Sequence, residues 1–146
     1  MPDNIFDHDK LDVYRLSIEY VADSFCIAKE LSCLRRHSRD QWLRAAQSIP
    51  RNIAEGNGKR SVKDRARYCD IARGSALECS AIQDVLVVSG GMEDSSSVKL
   101  KAKLKRIVAM LTRLALRAEN VSESPTSYGI DYEHEHEHRF AEHEKW

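Results

Sequence analysis

Little punctuates this chain. It holds 3 prolines and 6 glycines among 146 residues. Both residues interrupt regular structure, so their scarcity favours a few long elements over many short strands joined by turns. The 4 cysteines (Cys26, Cys33, Cys69, Cys79) form no C-x-x-C pair. That removes the usual thiolate metal site, and their positions inside apolar helical patterns predict buried free thiols in a reducing cytosol. No apolar run approaches the ~20 residues of a membrane helix, so no membrane partner is expected. The opening MPDNIFDHDK is acidic and lacks the apolar core of a secretory signal. Aromatics are also sparse in the basic middle of the chain. There Trp42 falls on a core stripe and Tyr68 reads as buried, which leaves few platforms for stacking single-stranded bases.

Catalytic sets are missing as well. His37 is the one histidine between His8 and His134, and it stands beside arginines as a surface residue. No Ser/His/Asp or Cys/His arrangement suggests a nucleophile. Gly58-Lys59-Arg60-Ser61 has the look of a phosphate loop, but the P-loop pattern needs glycine at position 53 and a hydroxyl after the lysine. Those positions hold Ile53 and Arg60. The expectation is a protein that is not an enzyme and takes no cofactor.

What is present is helical period. In residues 9–35, Leu11, Tyr14, Ile18, Val21, Phe25 and Ala28 recur at steps of three and four. A second segment opens at Ser38, where Ser38 and Gln41 fit a capping box. Trp42, Ala46, Ile49 and Ile53 follow on one face, and Gly56 is placed to end it in a left-handed conformation. Pro50 interrupts this segment. It removes a bond to the Ala46 carbonyl and predicts a kink, with Asn52 placed to serve a freed carbonyl. Ser61 with Asp64 predicts the capped start of a third helix running to about Ser89. Its face carries Tyr68, Ala72, Ser75, Cys79, Ile82 and Leu86, with Ile71, Leu77 and Val85 beside them. After Gly90-Gly91, Leu100, Leu104, Ile107, Leu111, Leu114 and Ala118 keep the 3.5-residue average of a bundle seam. The fold expected is all-α: an antiparallel up-down-up-down four-helix bundle over residues 1–120. Val13, Leu16, Tyr20, Val87, Val88, Val108 and Leu116 lie off these stripes and are left for a neighbouring chain.

Lysine plus arginine equals aspartate plus glutamate, 23 each, yet the charge is segregated. Residues 1–30 carry a net −4, residues 31–117 a net +10 and residues 118–146 a net −6. The basic groups fall in three clusters. Arg35, Arg36, Arg39 and Arg44 surround the first corner. Lys59, Arg60, Lys63, Arg65 and Arg67 surround the second. Lys99, Lys101, Lys103, Lys105 and Arg106 open the fourth helix. In an antiparallel bundle the first and third corners share an end. Two basic ends or one continuous lateral stripe both satisfy the sequence. Either attracts a polyanion through its phosphates. Glu55, an acid among these cations, reads as a salt-bridge or capping residue. The mid-helix Gly74-Ser75-Ala76 predicts close approach of a neighbouring helix, with Ser75 bonded to a backbone carbonyl. Residues 121–146 form an acidic tail. Its His134, His136 and His138 alternate with glutamates and are candidate metal ligands, set against the plainer reading of a solvating acidic tail and against a third, a segment that folds back on the basic patch and competes with a polyanion.

One block is distinctive. Arg44-Ala45-Ala46, then Ser48-Ile49-Pro50-Arg51-Asn52-Ile53-Ala54-Glu55-Gly56, then Ile71-Ala72-Arg73-Gly74-Ser75 with Glu78 resemble the signature of the four-helix-bundle proteins encoded in intervening sequences of bacterial 23S ribosomal RNA genes. The likeness spans about residues 9–118. It extends, more distantly, to the accessory protein of diversity-generating retroelements. Two features depart from the pattern. Arg35-Arg36-His37-Ser38 stands where many members have a longer loop, and Cys69 where an aliphatic is usual. The resemblance implies a bundle assembling into a ring-like homopentamer, with no known catalytic activity. In the accessory branch it implies a basic surface engaging nucleic acid and a reverse transcriptase. The family residues Ser48, Pro50, Asn52, Glu55, Gly56, Gly74, Ser75 and Glu78 are then mainly structural. The candidate contacts to RNA or DNA are Arg35, Arg36, Arg39, Arg44, Lys59, Arg60, Lys63 and Arg67. The functional expectation is a cytoplasmic, non-catalytic nucleic-acid-binding oligomer. Its rival is an oligomeric scaffold that binds protein through its outer helices.

Overall fold

The computed structural model describes residues 4–122. A 3-10 turn, Asp7–Lys10, leads into α1 (Asp12–Ala28). A second, Cys33–Arg35, leads into α2 (Arg36–Asn57). Then come α3 (Val62–Val88) and α4 (Asp94–Ser122). There is no strand among the described residues, and the four α-helices run alternately up and down. The helix α3 is the hub, packed extensively on both α2 and α4, while α1 is held more lightly against α2 and α4.

The stripe on α4 is as expected: Leu100, Leu104, Ile107 and Leu111 are buried, with Leu114 and Ala118 at its edge. Trp42, Ala46, Ile49 and Ile53 are buried on α2. The stripe on α1 is different. Its buried face is Val13, Leu16, Ser17, Tyr20, Ser24 and Ala28, whereas Phe25 is exposed. Two serines disguised that face. Ser17 Oγ donates to the Tyr14 carbonyl at 2.6 Å and Ser24 Oγ to the Tyr20 carbonyl at 2.7 Å, so each is satisfied on its own helix and enters the core. Val13, Leu16 and Tyr20 are therefore core residues, not surface left for a neighbour. Nor are all the cysteines buried. Cys79 is, Cys69 is half-buried, and Cys26 and Cys33 are exposed.

At the centre a polar network joins all four helices. Trp42 Nε1 of α2 donates to Tyr20 Oη of α1 at 3.0 Å. Tyr20 Oη donates to Gln83 Oε1 of α3 at 2.5 Å. Gln83 Nε2 donates to the carbonyl and hydroxyl of Ser97 on α4, at 3.3 and 3.2 Å. Every member is wholly or almost wholly buried. A buried polar group costs stability unless paired, so this set of bonds favours one helix register over its neighbours.

The corners depart from expectation in three places. The first segment stops being α-helical at Ala28, where Glu30 and Leu31 donate to the Ile27 and Ala28 carbonyls in tighter turns and Leu31 enters the core. The 3-10 turn Cys33–Arg35 then runs directly into α2. The helix starts at Arg36, and Ser38 sits inside its first turn, where it caps nothing. Gly56 is not a left-handed terminus either: α2 continues to Asn57, and Gly90 is the positive-φ glycine of the described residues, at φ 80°. The reason for glycine at 56 is proximity, since a Cβ there would lie 2.5 Å from Tyr68 Cβ on α3. At the third corner Gly90 N–H donates to Val87 O and Gly91 N–H to Leu86 O, the paired bonds of a Schellman motif. The start of α3 is as expected, with Ser61 Oγ accepting from Asp64 N–H at 3.3 Å.

Candidate nucleic-acid interface

The bundle separates the eight cations proposed as contacts. Arg35, Arg36 and Arg39 lie at the end shared by the first and third corners. Lys59, Arg60, Lys63 and Arg67 lie at the other end, about 30 Å away along α2. Arg44 sits between, exposed on α2.

Not all of these are free to meet a phosphate. Arg35 is half-buried. Its guanidinium donates to the carbonyl of Ser89 and, at 3.3 Å, to the Ser89 hydroxyl, tying the first corner to the third. Arg39 pairs with the neighbouring Asp40 at 3.2 Å. Lys59 lies 5.3 Å from the centre of the Tyr68 ring and Arg67 5.6 Å from it, and Lys59 also faces Glu55 at 4.0 Å. Those contacts are solvent-exposed and give way readily to a stronger anion. Arg36, Arg44, Arg60 and Lys63 are exposed, and no ion pair within the described residues engages them.

The lysine-rich start of α4 divides by helical period. Lys101 turns to Asp84 of α3 and Lys103 to Asp23 of α1, so these two staple α4 to its neighbours. Lys99, Lys105 and Arg106 point away from the core, and the same outer face continues through Arg113 to Arg117. Spacings of seven, seven and four align Lys99, Arg106, Arg113 and Arg117 along one side of the helix. The row is about 27 Å long at 1.5 Å per residue. None of the five is in an ion pair within the described residues. Arg113 and Arg117 were not singled out from sequence. They fall outside the lysine run, and only the continued period of α4 relates them to it.

The row meets the second corner. Arg117 and Arg65 line one cleft of about 240 Å³, walled by Leu11, Ile53, Val62, Cys69 and Leu114. Burial first, then the neighbouring Asp70, pushes the Cys69 thiol up to about 11. A shallower groove between α1 and α4 holds Arg113, Arg117 and the acid Asp12. The candidate cations thus lie at both ends of the bundle, and the α4 row runs along the side between them.

The motif residues form a seam between α2 and α3. Asn52 Nδ2 donates to Ser48 O at 2.8 Å and to Ser48 Oγ at 2.9 Å. Ser48 Oγ and Ser75 Oγ are 2.8 Å apart, and Ser75 Oγ donates to the Ile71 carbonyl at 3.2 Å. Asn52 thus serves Ser48 and not the Ala46 carbonyl that Pro50 leaves unbonded. Pro50 is buried within an uninterrupted α2. Glu55 and Glu78 are exposed. Gly74 is exposed too, and among the described residues a Cβ there would meet nothing within 4 Å, so none of the four helices approaches it.

Among the described residues no group of three or more His, Cys, Asp or Glu gathers to hold a metal, and no helix is long and apolar enough to cross a membrane. His134, His136 and His138 lie outside the described residues.

These features define an all-α bundle with a stitched α2–α3 seam and a cationic outer face. The sequence profile described as "23S rRNA-intervening sequence protein" matches residues 9–113, and the chain belongs to that family. A crystal structure from Bacteroides thetaiotaomicron, described as a protein with unknown function from the S23 ribosomal protein family, is similar in fold. It is 20% identical, covers 70% of this chain and 97% of its own, and superposes with a TM-score of 0.64. No curated protein matches the sequence.

Proposed function

We propose that the protein is a non-catalytic, cytoplasmic binder of structured RNA or duplex DNA. It uses the α4 row and the second corner to hold phosphates. The observation that carries this reading is the row itself. Lys99, Lys105, Arg106, Arg113 and Arg117 stand exposed and outside any ion pair of the described residues, and Arg117 shares a cleft with Arg65 of the second corner. Two lysines between these on the same helix find acids instead: Lys101 meets Asp84 and Lys103 meets Asp23. A row of cations about 27 Å long follows a nucleic-acid backbone and carries no information about bases. Recognition is thus by charge and shape. The test is fluorescence anisotropy of nuclease-treated protein with a structured RNA and a duplex DNA across a salt series. Binding that falls steeply with salt supports the reading. Absence of binding at low salt refutes it.

A second reading, assembly, rests on its own observation. Ile71, Gly74, Glu78, Ala81, Val85 and Val88 are all exposed on α3 at spacings of three and four. That is a second seam, opposite the buried one, with the average period of helix pairing. It fits another copy of this chain, and the family resemblance supplies the number five. Sedimentation velocity on the full chain decides it: a monomer at tens of micromolar removes the homopentamer and leaves the face for a different protein.

A further inference from the structure

The last layer of the bundle at the second corner is short of side chains. The α4 seam runs Leu100, Leu104, Ile107, Leu111, Leu114, and its next position is Ala118. Gly56 of α2 lines the same space, and the close approach of Tyr68 keeps it bare. The cleft of about 240 Å³ is the volume this layer leaves, where the start of α1, the end of α2, the start of α3 and the end of α4 converge. Its apolar walls are Leu11, Ile53, Val62, Leu114 and Ala118, all aliphatic. A cavity of about 150 Å³ holds benzene, so at the same density this one takes about ten non-hydrogen atoms.

The charge of the lining has one sign. Arg65 and Arg117 stand at the rim, and no acid lines the cleft among the described residues. Neither arginine is in an ion pair within those residues. Arg65 Nε donates to the Lys59 carbonyl at 2.6 Å, which anchors the guanidinium and leaves its two terminal nitrogens for an anion. Acids approach only from outside the lining. Asp7 accepts from Asn57 Nδ2 at 3.0 Å, Asp12 lies in the adjoining groove, and Asp70 follows Cys69 in sequence. No aromatic side chain lines the cleft either, so a flat ring finds nothing there to stack on. An aliphatic hollow with two guanidiniums at its mouth suits an unbranched chain that ends in a carboxylate, with the chain buried and the head held at the rim.

We propose that this cleft is a binding site for a medium-chain aliphatic carboxylate of about eight carbons, with its chain along Leu11, Ile53, Val62 and Leu114 and its head between Arg65 and Arg117. Arg117 also belongs to the α4 row, so an occupied cleft withdraws one cation from a phosphate backbone. That regulatory consequence rests on the proposed function. The site itself does not.

The experiment titrates the full chain with octanoate. It follows the methyl resonances of Ile53, Val62 and Leu114, together with alkylation of the Cys69 thiol, which lines the cleft. Octylamine and butanoate are the controls for charge and for length. Millimolar octanoate should shift those methyls saturably and slow Cys69 alkylation several-fold, and both controls should bind several-fold more weakly. Ala118→Leu supplies the next leucine of the seam and should abolish both effects while the circular dichroism spectrum stays native. Arg65→Gln with Arg117→Gln, both exposed, should bring octanoate down to the affinity of octylamine. The absence of saturable shifts at these methyls overturns the proposal. So does octylamine binding the native chain as tightly as octanoate, or octanoate binding undiminished in a folded Ala118→Leu variant. No readout uses a polyanion, so failure of nucleic-acid binding leaves this result standing, and failure here leaves that reading standing.

Discussion

Arg35 and Ser89, 54 residues apart, are joined where the first and third corners meet. The guanidinium reaches the Ser89 carbonyl and packs over Gly90 and Gly91, whose lack of side chains leaves it room. A cation that sequence placed in a binding cluster is thus a clasp between two loops. Arg35→Ala should lower stability by about 1–3 kcal/mol, as a charge-assisted bond to a carbonyl is lost. Urea unfolding reads that loss, and anisotropy should show duplex affinity within about twofold of native at matched salt. A larger fall in affinity without loss of stability would return Arg35 to the interface.

Two glycines make opposite predictions. At Gly56 a methyl group would collide with Tyr68 Cβ, backbone-anchored on both sides, so Gly56→Ala should destabilise by about 1–3 kcal/mol through overpacking. At Gly74 the space is open, and the helix gains from alanine by about 1 kcal/mol. If a second copy packs along Ile71, Gly74 and Val85, the bulkier Gly74→Leu should weaken self-association while the bundle itself stays folded. Thermal melts combined with sedimentation separate the two effects.

The buried network predicts alkaline instability. Burial, then the adjacent Cys79, raises the Tyr20 phenol above its ordinary value. Burial also pushes the Cys79 thiol from 9.0 up to about 12. Both groups hold their protons more tightly folded than unfolded. Their contribution is therefore complete below about pH 9 and declines as pH rises toward the folded values. Urea midpoints between pH 8 and pH 10 should fall, and Cys79→Ala should flatten the fall while lowering the starting stability. Tyr20→Phe leaves Trp42 Nε1 without its acceptor and Gln83 Oε1 without its donor, at a cost of about 1–3 kcal/mol.

For the cationic row the sharpest readout is the salt slope. Arg106→Glu with Arg113→Glu should weaken duplex binding and reduce the log–log slope by about 0.9 for each phosphate no longer neutralised. Arg60→Glu with Lys63→Glu tests the second corner separately. All four side chains are exposed, so the circular dichroism spectrum should not change. Equal affinity in both variants would remove the row and the corner together.

The four helices were legible because Leu100 to Leu111 and Trp42 to Ile53 repeat apolar residues at helical period. The face of α1 was not. Ser17 and Ser24 are polar by composition but self-satisfied, so the apolar pattern pointed to a flank carrying the exposed Phe25. Gly56 and Gly74 were misread for a related reason. Scarcity marks a glycine as special without saying whether it bends the chain, admits a neighbour or faces open space. For the site, sequence supplied charge but not engagement. Nothing in the letters distinguishes Lys101 and Lys103, held by acids of α3 and α1, from Lys99 and Lys105. That difference arises only when 1.5 Å of rise and 100° of turn per residue aim each side chain at its own neighbour.

The lighter hold on α1 has a consequence for synthesis. Tyr20 leaves the ribosome 63 residues before Gln83, the partner that accepts its proton. At 5–20 residues per second, that interval is about 3–13 s. Throughout it the first helix has only α2 to lean on, and its phenol and serines face water. The hub α3 must emerge before the first helix can be locked in place. The nascent chain should therefore resist protease late and all at once, after the third helix has cleared the exit tunnel.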